Sequence, residues 1–122
     1  PNVMHLATDV TAVLRDGASS LGLAAALHPS AAVCGTPTDM AAEVIHELEQ
    51  MDRGRYAGPV GWVDADGNGE WAIALRCAQF TTTDDAIAVT AYAGAGIVAG
   101  SDPESELLET RVKFRPLVDA LA

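Results

Sequence analysis

The sequence predicts an α+β fold built on antiparallel β-structure. Strand-like runs at 60–64 and 70–78 flank Ala65-Asp66-Gly67-Asn68-Gly69, and Asp-Gly and Asn-Gly are hairpin turn signals. Helical patterns lie before and after the strand runs and do not alternate with them one by one, so a parallel sheet of βαβ units is not indicated. The chain has 122 residues, 49% of them hydrophobic and 20% charged, which fits one globular domain and not a disordered chain.

Taken in order, residues 3–14 read as a strand, with Thr8, Val10 and Val13 favouring extension. Val3, Leu6, Val10, Val13 and Leu14 are already element-like, so the chain is expected to begin inside a longer protein. Asp16-Gly17 punctuates this run, and the Leu- and Ala-rich stretch 20–28 suits a short helix stopped by Pro29. Residues 29–35 are expected to form a loop. Thr36 is the expected cap of the next helix, with Pro37 at its first position and Asp39 three residues after the cap. Ala41, Val44, Ile45 and Leu48 continue that helix at helical spacing to about Met51.

Asp52 to Pro59 reads as a polar loop, followed by the predicted hairpin. Thr81 to Asp85 is a second turn and 86–93 a further strand. After Gly94-Ala95-Gly96, Ser101 and Glu104 form a capping box for the last helix. Leu107, Phe114, Leu117, Val118 and Leu121 should form its apolar face. Glu106, Glu109 and Lys113 share a different face through offsets of three and four.

Charge and cysteine content exclude several functions. Seven basic against 17 acidic residues give a formal net charge of -10, without the basic footprint that nucleic acid or an anionic membrane surface requires. A local basic pocket for an anionic small molecule remains compatible with that charge. No apolar run reaches the ~20 residues of a membrane span. The start lacks a basic region followed by an apolar stretch, so no secretory leader is expected, and a cytoplasmic setting is. Cys34 and Cys77 fit a reduced compartment better than a disulfide framework.

Among candidate sites, Glu106, Glu109 and Lys113 form the best cluster. Two carboxylates one turn apart suit a hard cation such as Mg²⁺, and the lysine suits an anion. The residues alone favour an ordinary solvated face with i,i+4 pairing. Gly94-Ala95-Gly96, between a strand and a helix, lets backbone N–H groups approach an anion, or else makes a tight bend. Gly100 falls one position too late for a dinucleotide fingerprint. Asp64, Asp66 and Asn68 resemble the start of a calcium loop, but Leu75 stands where its final glutamate belongs, so an acidic hairpin turn is expected. Arg76, placed in an apolar strand, is either an inward carboxylate clamp or an outward solvent residue. His5 lies with Asp9 on the first strand, and His28 and His46 lack zinc spacing.

Several segments together resemble the C-terminal part of the chorismate-utilising enzymes. They are His5-Leu6-Ala7-Thr8, the run from Leu27 to Pro37, the run from Asp52 to Gly61, Leu75-Arg76, the run from Ala93 to Val98, Ser101 to Glu106, Glu109-Thr110 and Lys113. They occur in family order over almost the whole chain. The family comprises isochorismate, salicylate, anthranilate and aminodeoxychorismate synthases. The resemblance implies a fold of packed antiparallel sheets and outer helices, of which residues 1–122 would be the C-terminal fragment of a single catalytic domain.

The resemblance also implies roles. Glu109 would be a Mg²⁺ ligand, supported by Glu106. Tyr56, Arg76 and Lys113, with the backbone of Gly94, Ala95 and Gly96, would contact the carboxylates of chorismate or isochorismate. His5 would be catalytic, near the ring carboxylate or the changing bonds. Ala32, at a position that is Thr in salicylate synthases, favours isochorismate synthase, with a salicylate or anthranilate-type synthase as alternative. The base, the acid and a further metal ligand would come from a missing N-terminal portion, so the fragment alone is expected to be inactive, and a non-catalytic fragment is the other alternative. Menaquinone and siderophore biosynthesis are both compatible. The 79–86 connection is longer than in the family and should extend a surface hairpin.

Overall fold

The structure, a computed structural model, describes residues 7–122. Its elements are α1 (Ser20–Leu27), α2 (Ala31–Cys34), α3 (Thr38–Glu49), β1 (Pro59–Val63), β2 (Gly69–Ile73), β3 (Cys77–Thr82), β4 (Ile87–Tyr92) and α4 (Pro103–Leu121). The α+β class holds, and all strand pairing among the described residues is antiparallel. The strands form two separate hairpins, β1-β2 and β3-β4. α1 packs on the first hairpin, α4 on β4, and α2 on α3.

The N-terminal strand expected at 3–14 is not found over its described part, since residues 7–14 carry no regular structure and are exposed. No strand pairs with them among the described residues, and an extended segment without a partner leaves its backbone groups to water. α1 begins as its residues dictate, with the Ser19 hydroxyl accepting the Gly22 N–H at 3.2 Å. The loop expected at 29–35 contains the single turn α2, capped at Ser30. Pro37 is the cap residue of α3 itself, not its first helical residue. That helix ends at Glu49 because Gln50 turns left-handed at φ 50°.

The turn of the first hairpin lies where predicted. Asp64 holds the turn: its Oδ1 accepts the N–H groups of Asp66 (2.9 Å) and Asn68 (2.8 Å), and its Oδ2 accepts the Asn68 side-chain amide at 3.0 Å. These bonds, the Asn68 side chain first, hold the Asp64 carboxyl below its usual range. The acidic loop is therefore a hydrogen-bonded turn, as expected. Gly61 sits opposite Trp71, and a Cβ there would lie 2.9 Å from the Trp71 Cα, so only glycine fits.

The predicted strand 70–78 is two strands. Leu75 N–H donates to the Ile73 carbonyl at 2.8 Å, and Arg76 adopts φ 50°. This bend ends β2 and lets Cys77 start β3 opposite Tyr92. Arg76 is thus an exposed residue of the bend and not a member of an apolar strand. The 79–86 stretch extends the second hairpin as expected, with the turn displaced to Thr83–Ala86, where Thr83 N–H donates to the Ala86 carbonyl.

α4 is capped by Asp102, not Ser101: the Asp102 carboxylate accepts the Ser105 N–H at 3.0 Å and the Ser105 hydroxyl at 2.8 Å. Ser101 instead accepts the Val98 N–H. The helix also turns a different side to the sheet than its apolar pattern suggests. Glu106, Thr110, Lys113, Phe114 and Leu117 are half-buried, while Leu107, Val118 and Leu121 are more than half exposed.

Ala57, 7% exposed, is the one buried hydrophobic residue among those described. The chain exposes 10258 Å². A self-contained protein of this mass exposes about 6,200 Å². Val10, Val13, Leu27, Leu48, Ile97 and Val98 are each at least 70% exposed. The helices and hairpins are formed, but the apolar faces they present are largely uncovered.

Candidate functional site

The candidate residues meet where the end of β4 runs into the 93–96 loop alongside α4. Lys113 is the link. Its Nζ donates to the Gly94 carbonyl at 2.9 Å and pairs with the Glu109 carboxylate one turn earlier. The first contact crosses from helix to loop, and the second is the i,i+4 pair that the spacing predicts. Glu109 lies below the usual carboxylate range. The Lys113 hydrogen bond is the main cause, the Lys113 charge adds to it, and the Arg76 charge contributes at longer reach. Arg76 acts on Glu109 through charge alone, since no hydrogen bond or ion pair joins the two among the described residues.

Tyr56 approaches Gly94 from the other side. A Cβ at Gly94 would lie 2.7 Å from the Tyr56 hydroxyl oxygen, so the hydroxyl rests on the glycine backbone. The Tyr56 ring stacks on Tyr92 with centroids 5.4 Å apart and planes 15° from parallel. Arg53 stands over the same ring, its Cζ 5.5 Å from the centroid. The turn carrying Tyr56 is fixed by Ala57, whose N–H donates to the Ala74 carbonyl while Ala74 N–H donates to Gly58, extending the β1-β2 ladder by one step.

The structure thus brings together Tyr56, Gly94, Lys113 and Glu109, with Ala95 and Gly96 next along the same loop, and leaves Arg76 exposed at the bend between β2 and β3. Glu106 is half-buried on the same side of α4, one turn from Glu109. Ala32 stands exposed on α2, outside this network. His5 lies outside the described residues. Sequence reasoning gave no role to Arg53, Glu49 or Tyr92. The first two carry a signal in hindsight, a Glu-Arg offset of four next to Tyr56, whereas the Tyr92 contact crosses two hairpins and has none.

Glu106 and Glu109 offer carboxylate oxygens, the donor type that Mg²⁺ prefers. Among the described residues no group of three or more His, Cys, Asp or Glu side chains converges on one point. Two carboxylates are a partial ligand set, compatible with Mg²⁺ only when other oxygen donors complete it. Cys34 and Cys77 are both free thiols. An open cleft of about 690 Å³ runs beside Tyr56 and Arg53 and continues to His28, Cys34 and His46. Among the described residues no helix is long and apolar enough to cross a membrane.

The family model described as chorismate binding enzyme matches residues 1–122. Isochorismate synthase DhbC of Bacillus subtilis (strain 168) is 49% identical over 118 residues, which are 96% of this chain and 29% of that protein. The vibriobactin-specific isochorismate synthase of Vibrio cholerae is 44% identical over 97% of this chain and 29% of the relative. Isochorismate synthase EntC of Escherichia coli (strain K12) is 41% identical with the same 29% share. The crystal structure of DhbC from Bacillus anthracis superposes with a TM-score of 0.75 at 47% identity, covering 84% of this chain and 26% of that one. The chain spans less than a third of the curated relatives it matches. With the antiparallel hairpins, the outer helices and the ordered motifs, these matches establish that the chain belongs to the chorismate-binding enzyme family.

Proposed function

We propose that this chain is the C-terminal, carboxylate-recognising portion of the catalytic domain of a Mg²⁺-dependent isochorismate synthase. The observation that carries the reading is the convergence of Lys113, Gly94 and Glu109, with Tyr56 beside them and the Arg76 charge acting on Glu109, in a chain 41–49% identical to three isochorismate synthases. Two cationic groups and the N–H groups of a glycine-rich loop suit a dicarboxylate substrate despite the net charge of -10.

In the proposed reaction water adds at ring carbon 2 of chorismate, both ring double bonds shift (C1=C2 to C1=C6 and C5=C6 to C4=C5), and the hydroxyl leaves carbon 4, giving the isomer isochorismate. Lys113 and Arg76 bind the carboxylates. Tyr56 and the 94–96 backbone orient the ring. The family resemblance would give His5 a catalytic role at the ring carboxylate or the changing bonds. Bound Mg²⁺ would neutralise and orient a carboxylate, and Glu109 with Glu106 would supply part of its oxygen shell. The general base, the general acid and the remaining metal ligand belong to the portion that the relatives carry and this segment does not match. Each proton-transfer group is worth about 10²- to 10⁴-fold in rate, so the 122 residues alone would be inactive. The uncovered apolar faces support the same division, because they are available to pack on that remaining portion. Ala32 supports isochorismate over salicylate as product, and the reduced thiols suit the cytoplasm.

The test is product analysis of the complete enzyme with chorismate and Mg²⁺. Isochorismate is the expected product. Salicylate or anthranilate alone would overturn the assignment, and robust turnover by the isolated segment would overturn the division of labour.

A further inference from the structure

Arg53 has no role in the reaction as outlined, yet it is the most heavily engaged cation among the described residues. It lies four residues beyond Glu49, just past the left-handed end of α3, and folds back on that helix. Its Nε donates to Glu49 Oε2 at 2.8 Å and its Nη2 to Oε1 at 2.6 Å, a bidentate pair that uses the planar fork fully. Its remaining terminal nitrogen, Nη1, donates to the Val33 carbonyl at 3.2 Å, which ties α2 to the same point. The two side chains are only 25% and 31% exposed, so this pair is more sheltered than an ordinary surface ion pair. With the guanidinium locked by three hydrogen bonds to two helices, its Cζ sits 5.5 Å from the Tyr56 ring centroid.

From Tyr56 the contacts continue toward the candidate site. The ring stacks on Tyr92 at the end of β4, its hydroxyl rests on Gly94, and the Gly94 carbonyl accepts from Lys113. Every step is a direct contact, from α3 through one ring to the ammonium that meets Glu109. We propose that Arg53 is a positioning residue: it fixes the Tyr56 ring, and through it the Gly94 backbone and the Lys113 ammonium that bind substrate. The claim about substrate rests on the isochorismate synthase reading, whereas the claim about Tyr56 stands on geometry alone.

Lysine in place of Arg53 keeps the charge but cannot make the bidentate pair and the Val33 bond together. In the complete enzyme, Arg53→Lys should raise KM for chorismate about tenfold and leave kcat within about threefold, the pattern of lost uniform binding. Glu49→Gln, which keeps Arg53 but weakens its anchor, should move KM in the same direction by less. In a Tyr56→Leu background Arg53→Lys should add less than about twofold, because the route runs through Tyr56. Fully additive effects would overturn the proposal, as a general loosening of the fold would give them. Tyrosine-selective ring labelling followed by NMR supplies a readout independent of activity: the Tyr56 ring signals should shift in Arg53→Lys. Unmoved signals overturn the positioning role even if KM changes. If the unsubstituted enzyme does not act on chorismate, the functional reading falls, and the ring signals still decide whether Arg53 positions Tyr56.

Discussion

A methyl group on residue 94 would meet the Tyr56 hydroxyl oxygen at 2.7 Å, with the ring Cζ next at 3.9 Å. Carbon and oxygen in ordinary contact stay roughly 3.5 Å apart, so Gly94→Ala demands a displacement of about 0.8 Å. The Tyr56 ring is held by Tyr92 and Arg53, and the Gly94 carbonyl by Lys113, so neither side moves without disturbing the site. Misplacing a substrate-positioning group by about 1 Å costs on the order of 10²-fold in rate, or roughly 2.7 kcal/mol. We therefore expect Gly94→Ala to lower kcat/KM of the complete enzyme by about 30- to 100-fold. Initial rates of isochorismate formation, followed by chromatography, measure this, with circular dichroism as the control for folding. Tyr56→Phe deletes the one atom that collides and leaves Cζ at an ordinary distance. The double variant should accordingly recover to the level of Tyr56→Phe alone. Near-normal kcat/KM in Gly94→Ala, or a double variant no better than Gly94→Ala, would refute the contact between Tyr56 and Gly94 as a determinant of the site.

Two further outcomes follow from burial and charge. A complete domain of this size should bury about two thirds of its extended surface of ~18,300 Å², whereas this chain at 10258 Å² buries only about 44%. The isolated segment should therefore bind a hydrophobic dye and show no cooperative melting peak by calorimetry. A sharp transition with an enthalpy near 85 kcal/mol, as expected of an independent domain, would contradict that. At Glu109 the Lys113 contact depresses the carboxyl pKa, so the pair's contribution to stability is fully present above the ordinary value of 4.5 and is lost as pH falls through the lower folded value. In Lys113→Met the Glu109 carboxyl should titrate at higher pH by carbon NMR, and this acid-side loss should disappear. An unchanged Glu109 titration would show that the ion pair does not hold in solution.

Elements whose signals are local were legible before the structure. The Asp64–Gly69 turn and the Glu109–Lys113 pair depend on residues two to four positions apart, and each appears where the pattern puts it. Where two local signals compete, the outcome was less legible. Ser101 and Asp102 both offer an oxygen to the start of α4, and Asp102 takes the cap while Ser101 binds the Val98 N–H. The run Ala72 to Ala78 contains no glycine or proline, so nothing local announces the bend at Arg76. It arises because Cys77 pairs with Tyr92, fifteen positions away.

By itself the sequence determined the α+β class, the first hairpin turn, the helices α1, α3 and α4, and the family. Those properties reside in short-range periodicity, turn chemistry and ordered motifs. Only the tertiary structure decided that Tyr56 rests on Gly94, that Lys113 ties that glycine to Glu109, and that Arg53 anchors the ring between them. It also turned the Glu106 and Lys113 side of α4 to the sheet and left Leu107, Val118 and Leu121 uncovered. The physical reason is the same in each case: these contacts join residues up to dozens of positions apart, and their geometry is set by how hairpins and helices pack, which no local pattern encodes.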